Sequence, residues 1–229
     1  MATNTRTAVR QDGPARLSKT RRIIQSFTWI AVVLVLGLGW RYPLLGYAVP
    51  IVMITGIVGG FVQGRYVCGW LCPRGAFFDR IMSYISPKRD IPNWFRAPVF
   101  RWTVFIILMG FMLYQIGLNP GDYRHWGIVF FRICAITTGI GIVLAILIHP
   151  RAWCSFCPVG TLQGAVGGQK RQLEIDDGCV NCMACETACP MNLRIPSDMH
   201  GGKLQSRDCL KCPECQLACP IGVLHFPSQ

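Results

Sequence analysis

CVNCMACETACP, residues 179–190, returns as CLKCPECQLACP at residues 209–220. Both runs read C-x2-C-x2-C-x3-C-P. This spacing lets one loop wrap three sulfurs around a single four-iron cube, while the following turn throws the fourth cysteine toward a second cube. One set is then Cys179, Cys182, Cys185 and Cys219; the other is Cys209, Cys212, Cys215 and Cys189. Four cysteines also suit structural zinc, and disulfides are a further use of paired thiols. The duplicated triplet-plus-one array, closed each time by proline, favours iron–sulfur. With every iron held by cysteine, none is open to a substrate, and the two cubes form a one-electron wire.

The rest of the 229-residue chain is of a different kind. Hydrophobic residues make up 52% and charged residues only 15%, and the apolar ones lie mostly before residue 150. Eight of the 13 cysteines sit in the tail, whose own core is too small to stand without metal or disulfides. Bound cubes with their thiolates would each carry about −2 and offset part of the formal charge of +12. No array of base-stacking residues accompanies the basic ones, so nucleic acid is not an expected partner.

Four segments reach spanning length: Ile23–Trp40, Leu44–Val62, Val99–Leu118 and Gly127–Ile148. The short connections after the first and third make each pair a helical hairpin. Basic residues crowd the N-terminal tail (Arg6, Arg10, Arg16, Lys19, Arg21, Arg22), the central loop (Arg65 to Arg101) and the region from Arg151 onward. Only Arg41, Arg124 and Arg132 lie at the other side. The positive-inside rule then places both termini and the central loop in the cytoplasm of a bacterial inner-membrane, multi-pass protein, with the first span a retained anchor. Arg101 and Arg132, near span ends, are expected to snorkel. Phe77, Phe78, Ile81, Met82 and Ile85 recur at helical spacing after Pro73, which predicts an amphipathic helix on the cytoplasmic leaflet over 73–86.

The second span ends in RYVCGWLCPRG, residues 65–75, and the fourth in RAWCSFCPVG, residues 151–160. Arg65, Cys68, Cys72 and Gly75 match Arg151, Cys154, Cys157 and Gly160, the second copy having C-x2-C-P in place of C-x3-C-P. The membrane part therefore reads as two duplicated hairpins, each closed by a Cys-Pro element. The expected fold is an all-α membrane domain of four transmembrane helices plus a small α+β bacterial 2[4Fe-4S] ferredoxin-like domain. Its divisions are a basic tail over 1–22, a membrane domain over 23–168 with Cys-Pro motifs at 68–73 and 154–158, and the ferredoxin-like part over 169–229.

With CGWLCP, its shorter twin and the paired tail runs, the chain resembles the membrane-bound polyferredoxins of the NapH, MauN and NosR type. The resemblance covers nearly everything from the first span onward. It implies electron transfer linked to the quinone pool, feeding a respiratory or maturation system. The large flavin-binding region of the longest members is not seen here, and no flavin motif is found.

Cys68, Cys72, Cys154 and Cys157 carry three readings: ligands of a third [4Fe-4S] cluster, a dithiol pair cycling through disulfide, or structural thiols. Proline after each pair repeats the ferredoxin habit and favours the cluster. Cys134, in the fourth span, reads as a small buried residue. Quinone candidates are His149, Arg151, Trp70 and Trp153 on the cytoplasmic side, and Asp122, Arg124 and His125 on the other. Haem is not expected, because no two of the four histidines could meet as axial ligands within the spans. The expected function is electron exchange between the quinone pool and a partner redox protein or reductase complex, in the setting of membrane lipid. Whether this makes the chain a quinol dehydrogenase subunit or an electron carrier stays open. The alternatives are an anchored ferredoxin adaptor between proteins and a reductase in metal or cofactor maturation.

Overall fold

The computed structural model describes residues 3–227, with side chains from Gly13 onward. Arg6 and Arg10 of the expected basic tail lie outside the described side chains. Helix α1 (Thr3–Leu38) turns through a 3-10 segment (Pro43–Tyr47) into α2 (Ala48–Gln63). Two short helices follow, α3 (Tyr66–Trp70) and α4 (Pro73–Phe77), then a π turn (Phe78–Met82) and α5 (Ser83–Ile85). Helices α6 (Pro98–Leu118) and α7 (Tyr123–Leu147) lead to a 3-10 turn (Trp153–Ser155) and α8 (Pro158–Gly167).

Four stretches are long and apolar enough to cross a membrane: Gly13–Leu38, Pro43–Gln63, Pro98–Leu118 and Tyr123–Leu147. Each overlaps an expected span, and the first begins ten residues earlier than its apolar run. The helix continues through the basic stretch because Ser18 and Arg21 find partners in the tail. Ile51, Ile54 and Val58 of α2 and Ile106, Ile107 and Leu113 of α6 face outward, where lipid is the expected neighbour.

Glycines decide the closest approach. Gly56, Gly60 and Gly64 recur every four residues along α2 and its cap, and α8 lies against that stripe. A Cβ on Gly167 would strike the Gly60 carbonyl. Helix α1 rests chiefly on α4, and the Pro43–Tyr47 turn sits on α7.

The segment expected to lie on the leaflet is instead built into the protein. Phe77, Phe78 and Met82 are buried with Ile91, Phe95, Trp153 and Phe156, and Phe78 fits over Gly141 of α7. Only Tyr84 and Ile85 at its end are exposed. Asp79, on the polar side of the pattern, turns inward because three cationic or amide side chains await it.

The tail carries β1 (Glu174–Ile175), α9 (Ala184–Thr187), β2 (Met199–His200), β3 (Lys203–Leu204), α10 (Glu214–Ala218) and β4 (Leu224–His225). The strands form one antiparallel sheet in the order β2-β3-β1-β4, with Glu174 opposite both Lys203 and His225. Its core is Leu173, Met191, Leu193, Ile195, Leu204, Leu210 and Leu224, together with the cysteines. Arg101 does not snorkel: its guanidinium pairs with both oxygens of Asp208. Arg65 reaches the same carboxylate at 2.6 Å, and Arg96 donates to the carbonyls of Met191 and Asn192 at 2.6 and 2.8 Å. The basic loop thus fastens the cysteine-rich tail to the helix ends.

Candidate iron–sulfur centres and the membrane-edge cavity

The two Cys-Pro elements reach the same geometry by different turns. In the first, Cys68 lies in the α-helical turn α3; in the second, Cys154 lies in the tighter 3-10 turn, which takes up the missing residue. Cys72 and Cys157 then occupy matching positions. Each has extended backbone (ψ 115° and 132°) just before a proline that opens α4 or α8.

Their arginines cross over. Arg65 donates through Nη2 to the Cys154 carbonyl at 2.5 Å, and Arg151 donates through Nη1 to the Cys68 carbonyl at 3.3 Å. Gly75 lies against Arg151 and Gly160 against Arg65, so each element leaves room for the other's guanidinium. Both arginines are 1% exposed and each has its own carboxylate: Arg65 takes Asp208, and Arg151 takes Asp79 through Nε (2.7 Å) and Nη2 (2.6 Å). Arg21 and Gln25 of α1 also hold Asp79, at 2.6 and 2.9 Å, and both donate to the Gly69 carbonyl. Burial alone would raise the Asp79 carboxyl; Arg151 and Arg21 outweigh it and keep it below the ordinary carboxylate range. Asp208 is likewise held down against burial by Arg65 and Arg101.

These charges surround four cysteines brought together from the two elements. Burial pushes the thiols of Cys68, Cys72 and Cys154 up, and neighbouring cysteines of the same quartet add to it. Arg65 opposes the rise at Cys68, and Arg151, whose Nη1 lies 3.6 Å from the Cys154 sulfur, opposes it at Cys154. A bound cation would complete the reversal by displacing the protons.

A cavity of about 180 Å³ runs from this quartet into the helix bundle. Cys68, Cys72 and Cys157 wall one part of it, and apolar side chains such as Val32, Val52 and Leu108 wall the rest. Two buried polar atoms on lining residues have no hydrogen-bond partner: Nε1 of Trp153 and Oε1 of Gln163. Unpaired buried groups of this kind cost about 1–3 kcal/mol each. Arg74, also on the wall, donates to the Cys134 sulfur at 3.5 Å, which gives that expected filler residue a polar neighbour.

In the tail, each expected quartet lines a cavity of its own. Cys179, Cys182, Cys185 and Cys219 share one; Cys189, Cys209, Cys212 and Cys215 share the other. Asn181 and Lys211, at equivalent places in the two runs, both take left-handed backbone (φ 49° and 54°), so the runs fold by one turn. Among the described residues no three His, Cys, Asp or Glu side chains converge on a single ion. The thiols stand around cavities, as suits a cube whose four irons each take one sulfur. Burial lifts Cys189 to about 11 and Cys212 to about 12, so a metal bound there would have to supply the drive for deprotonation.

The quartets adjoin in a definite order. Cys68 and Cys154 pack against the tail core that holds Cys209 and Cys212. Gly69 lies against the Leu210 carbonyl, and Trp70 donates to the Lys211 carbonyl at 3.3 Å.

Of the residues singled out for a quinone, only Trp153 lines the cavity. His149 is buried and accepts from the Arg151 amide; burial and then Arg151 lower it to about 4. Trp70 and Arg151 fasten the elements together. Asp122 caps α7 by accepting from the Arg124 amide, and His125 meets the Gln115 carbonyl, so both have structural partners at the far end. Sequence reasoning passed over Asp79, Asp208, Gln25 and Gln163. A glutamine inside an apolar span was the available signal for Gln25, and the shared Arg-x-x-Cys spacing was the signal for the crossed arginines.

A family model described as a 4Fe-4S binding domain matches twice, at residues 45–92 and 131–174. Each match contains one Cys-Pro element. An uncharacterized protein of Methanocaldococcus jannaschii is 27% identical over 161 residues, covering 65% of this chain and 60% of the relative. The ferredoxin-type protein NapH of Haemophilus influenzae is 27% identical over 175 residues, covering 71% and 58%. The methylamine utilization ferredoxin-type protein MauN of Paracoccus denitrificans is 26% identical over 166 residues, covering 66% and 56%. The chain thus spans 56–60% of the length of these three relatives. No solved structure matches. The doubled 4Fe-4S match falls on the two Cys-Pro elements, and over about two thirds of its length the chain, with four apolar helices long enough to cross a membrane, is similar to the ferredoxin-type proteins NapH and MauN.

Proposed function

We propose that the protein exchanges electrons between the quinone pool and a partner redox protein, through two tail clusters and a third at the membrane edge. The observation that carries this reading is the apolar cavity opening on Cys68, Cys72 and Cys157 while the same cysteine elements abut the tail quartet of Cys209. Bound four-iron cubes supply one-electron donors and acceptors. The chain's residues do the rest. Cys68, Cys72, Cys154 and Cys157 hold the first station, and the 4Fe-4S family match over both elements supports that assignment. Cys189, Cys209, Cys212 and Cys215 hold the next, and Cys179, Cys182, Cys185 and Cys219 the last. The doubled match and the crossed arginines also favour the reading of the membrane part as two duplicated hairpins.

The apolar wall of the cavity takes a quinone ring and its tail. The indole N–H of Trp153 donates to a quinone oxygen, and Oε1 of Gln163 accepts from a quinol hydroxyl. For each quinol oxidised, two O–H bonds break, two protons pass to water and two electrons leave singly along the wire; quinone reduction is the reverse. The basic residues gathered at the helix ends that bear the tail favour an orientation with both termini in the cytoplasm.

Anaerobically purified protein in lipid nanodiscs, mixed with a short-chain menaquinol or ubiquinol, tests the reading. Bleaching of the visible iron–sulfur absorption, or reoxidation of prereduced protein by the matching quinone, is the expected result. Iron-loaded protein inert to both quinol and quinone would leave the anchored adaptor as the better reading.

A further inference from the structure

Beyond the membrane, in the chain after Ile148, the exposed large apolar side chains are Val180, Met183 and Ile221. All three line the cavity shared by Cys179, Cys182, Cys185 and Cys219. Cys182, between the first two, is itself exposed, unlike the quartet of Cys209, whose surroundings pack on the helix ends. The display follows from packing: Leu210, the counterpart of Val180 in the other run, is buried against Gly69 at the helix ends, whereas Val180 has no such cover and is exposed with Met183 on either side of Cys182.

The charge around this patch is opposite to that of the chain. From Gln172 to Leu193 there is no Lys or Arg, while Glu174, Asp176, Asp177 and Glu186 lie within that stretch of a protein with formal charge +12. Glu174 is paired with Lys203 at 3.1 Å, and His225 stands beside Glu174 and Asp176 at 3.4 and 3.6 Å, so Asp177 and Glu186 carry the acidic character next to the cysteines. An apolar centre with an acidic rim suits a partner of complementary make-up, since such charges steer encounter and fix register.

We infer that Val180, Met183 and Ile221 form the docking face for a soluble redox protein whose own face is apolar and ringed with Lys and Arg, and that electrons cross it beside Cys182. The inference rests on the assignment of a cluster to the Cys179 quartet. It makes this face the station farthest along the wire from the membrane cavity.

The test uses the full-length, iron-loaded protein reduced with dithionite and mixed in a stopped-flow instrument with a basic cytochrome c as probe. An acidic cytochrome and ferricyanide serve as comparison oxidants. Iron content and visible absorption are measured first, and protein without tail iron overturns both the cluster assignment and the docking face. With iron present, the basic probe should be reduced at least tenfold faster than the acidic one, with a rate that falls steeply with salt. Asp177→Lys with Glu186→Lys should slow the basic probe about tenfold and speed the acidic one. Val180→Ser with Met183→Ser, compared with the parent at equal iron content, should slow the basic probe more than ferricyanide. Equal rates for the two cytochromes, or rates untouched by these substitutions in iron-replete protein, would overturn the docking face alone.

Discussion

Arg65 donates to the carbonyl of Cys154 at 2.5 Å, reaching from the end of the second apolar helix to the end of the fourth. Its counterpart Arg151 makes the return bond to Cys68. Four thiols that arrive from two separate elements are thereby held in one place. A quartet split between elements would otherwise depend on the metal alone to gather it.

Replacing Cys68 with Ala should remove the membrane-edge centre and spare the tail. Iron should fall from about twelve to about eight atoms per chain, as expected for three and two cubes. Reduced-state EPR should keep the tail signals. A Cys68→Ala protein with undiminished iron would return the quartet to a dithiol or structural role.

Asp79 joins Arg151, Arg21 and Gln25 in one buried network. Asp79→Asn leaves the buried Arg151 guanidinium without its counter-charge, while Arg21 keeps Glu214, and should cost about 3–5 kcal/mol. Thermal unfolding in detergent checks the loss. Because Arg151 also reaches Cys68 and Cys154, the variant should lose membrane-edge iron before tail iron.

Trp153→Phe keeps an aromatic ring in the core and removes a buried N–H that has no partner. Stability should therefore hold or rise slightly. Quinol-driven bleaching should slow about tenfold with full iron content, and Gln163→Leu should behave alike. Unchanged quinol kinetics in both variants would place the quinone elsewhere.

Gly167→Ala should destabilise the fold by about 1–3 kcal/mol, because the added methyl meets backbone of α2 that cannot turn aside. Gly110→Ala, with nothing within 4 Å of the new carbon, should change stability by less than about 1 kcal/mol. Unfolding midpoints of the two variants against the parent give the comparison.

His149 is held to about 4 in the folded protein against an ordinary 6.5. The unfolded chain then binds the extra proton between those values, so stability is lost as pH falls through the window. Going from pH 7 to pH 5 should cost about 2 kcal/mol from this group. His149→Asn should flatten that part of the pH–stability curve, measured by tryptophan fluorescence during denaturant unfolding.

The spans were legible because their signals are local, and the two tail runs bring their cysteines around separate cavities in the expected groups. An apolar run must satisfy its backbone within one helix, and C-x2-C-x2-C-x3-C-P fixes how one loop meets a cube. The match of Arg65-x-x-Cys68 to Arg151-x-x-Cys154 was legible as well, but not that each arginine would serve the other copy. The 73–86 pattern misled for a related reason. Amphipathic periodicity tells that one face is buried, not whether lipid or protein buries it, and the protein buried Phe78 on Gly141.

Sequence by itself determined four apolar helices, two cysteine runs with their cubane spacing, and a repeated Cys-Pro element, all properties of residues near in the chain. Tertiary structure alone decided that Asp79 and Asp208 would neutralise the arginines around the membrane-edge quartet. It alone decided that Trp153 and Gln163 would face a shared cavity, and that the tail would meet the bundle through the Cys209 quartet, leaving Cys182 outward. Those pairings join residues up to 143 positions apart, and which of many equally charged or apolar partners meet is settled only when the helices pack.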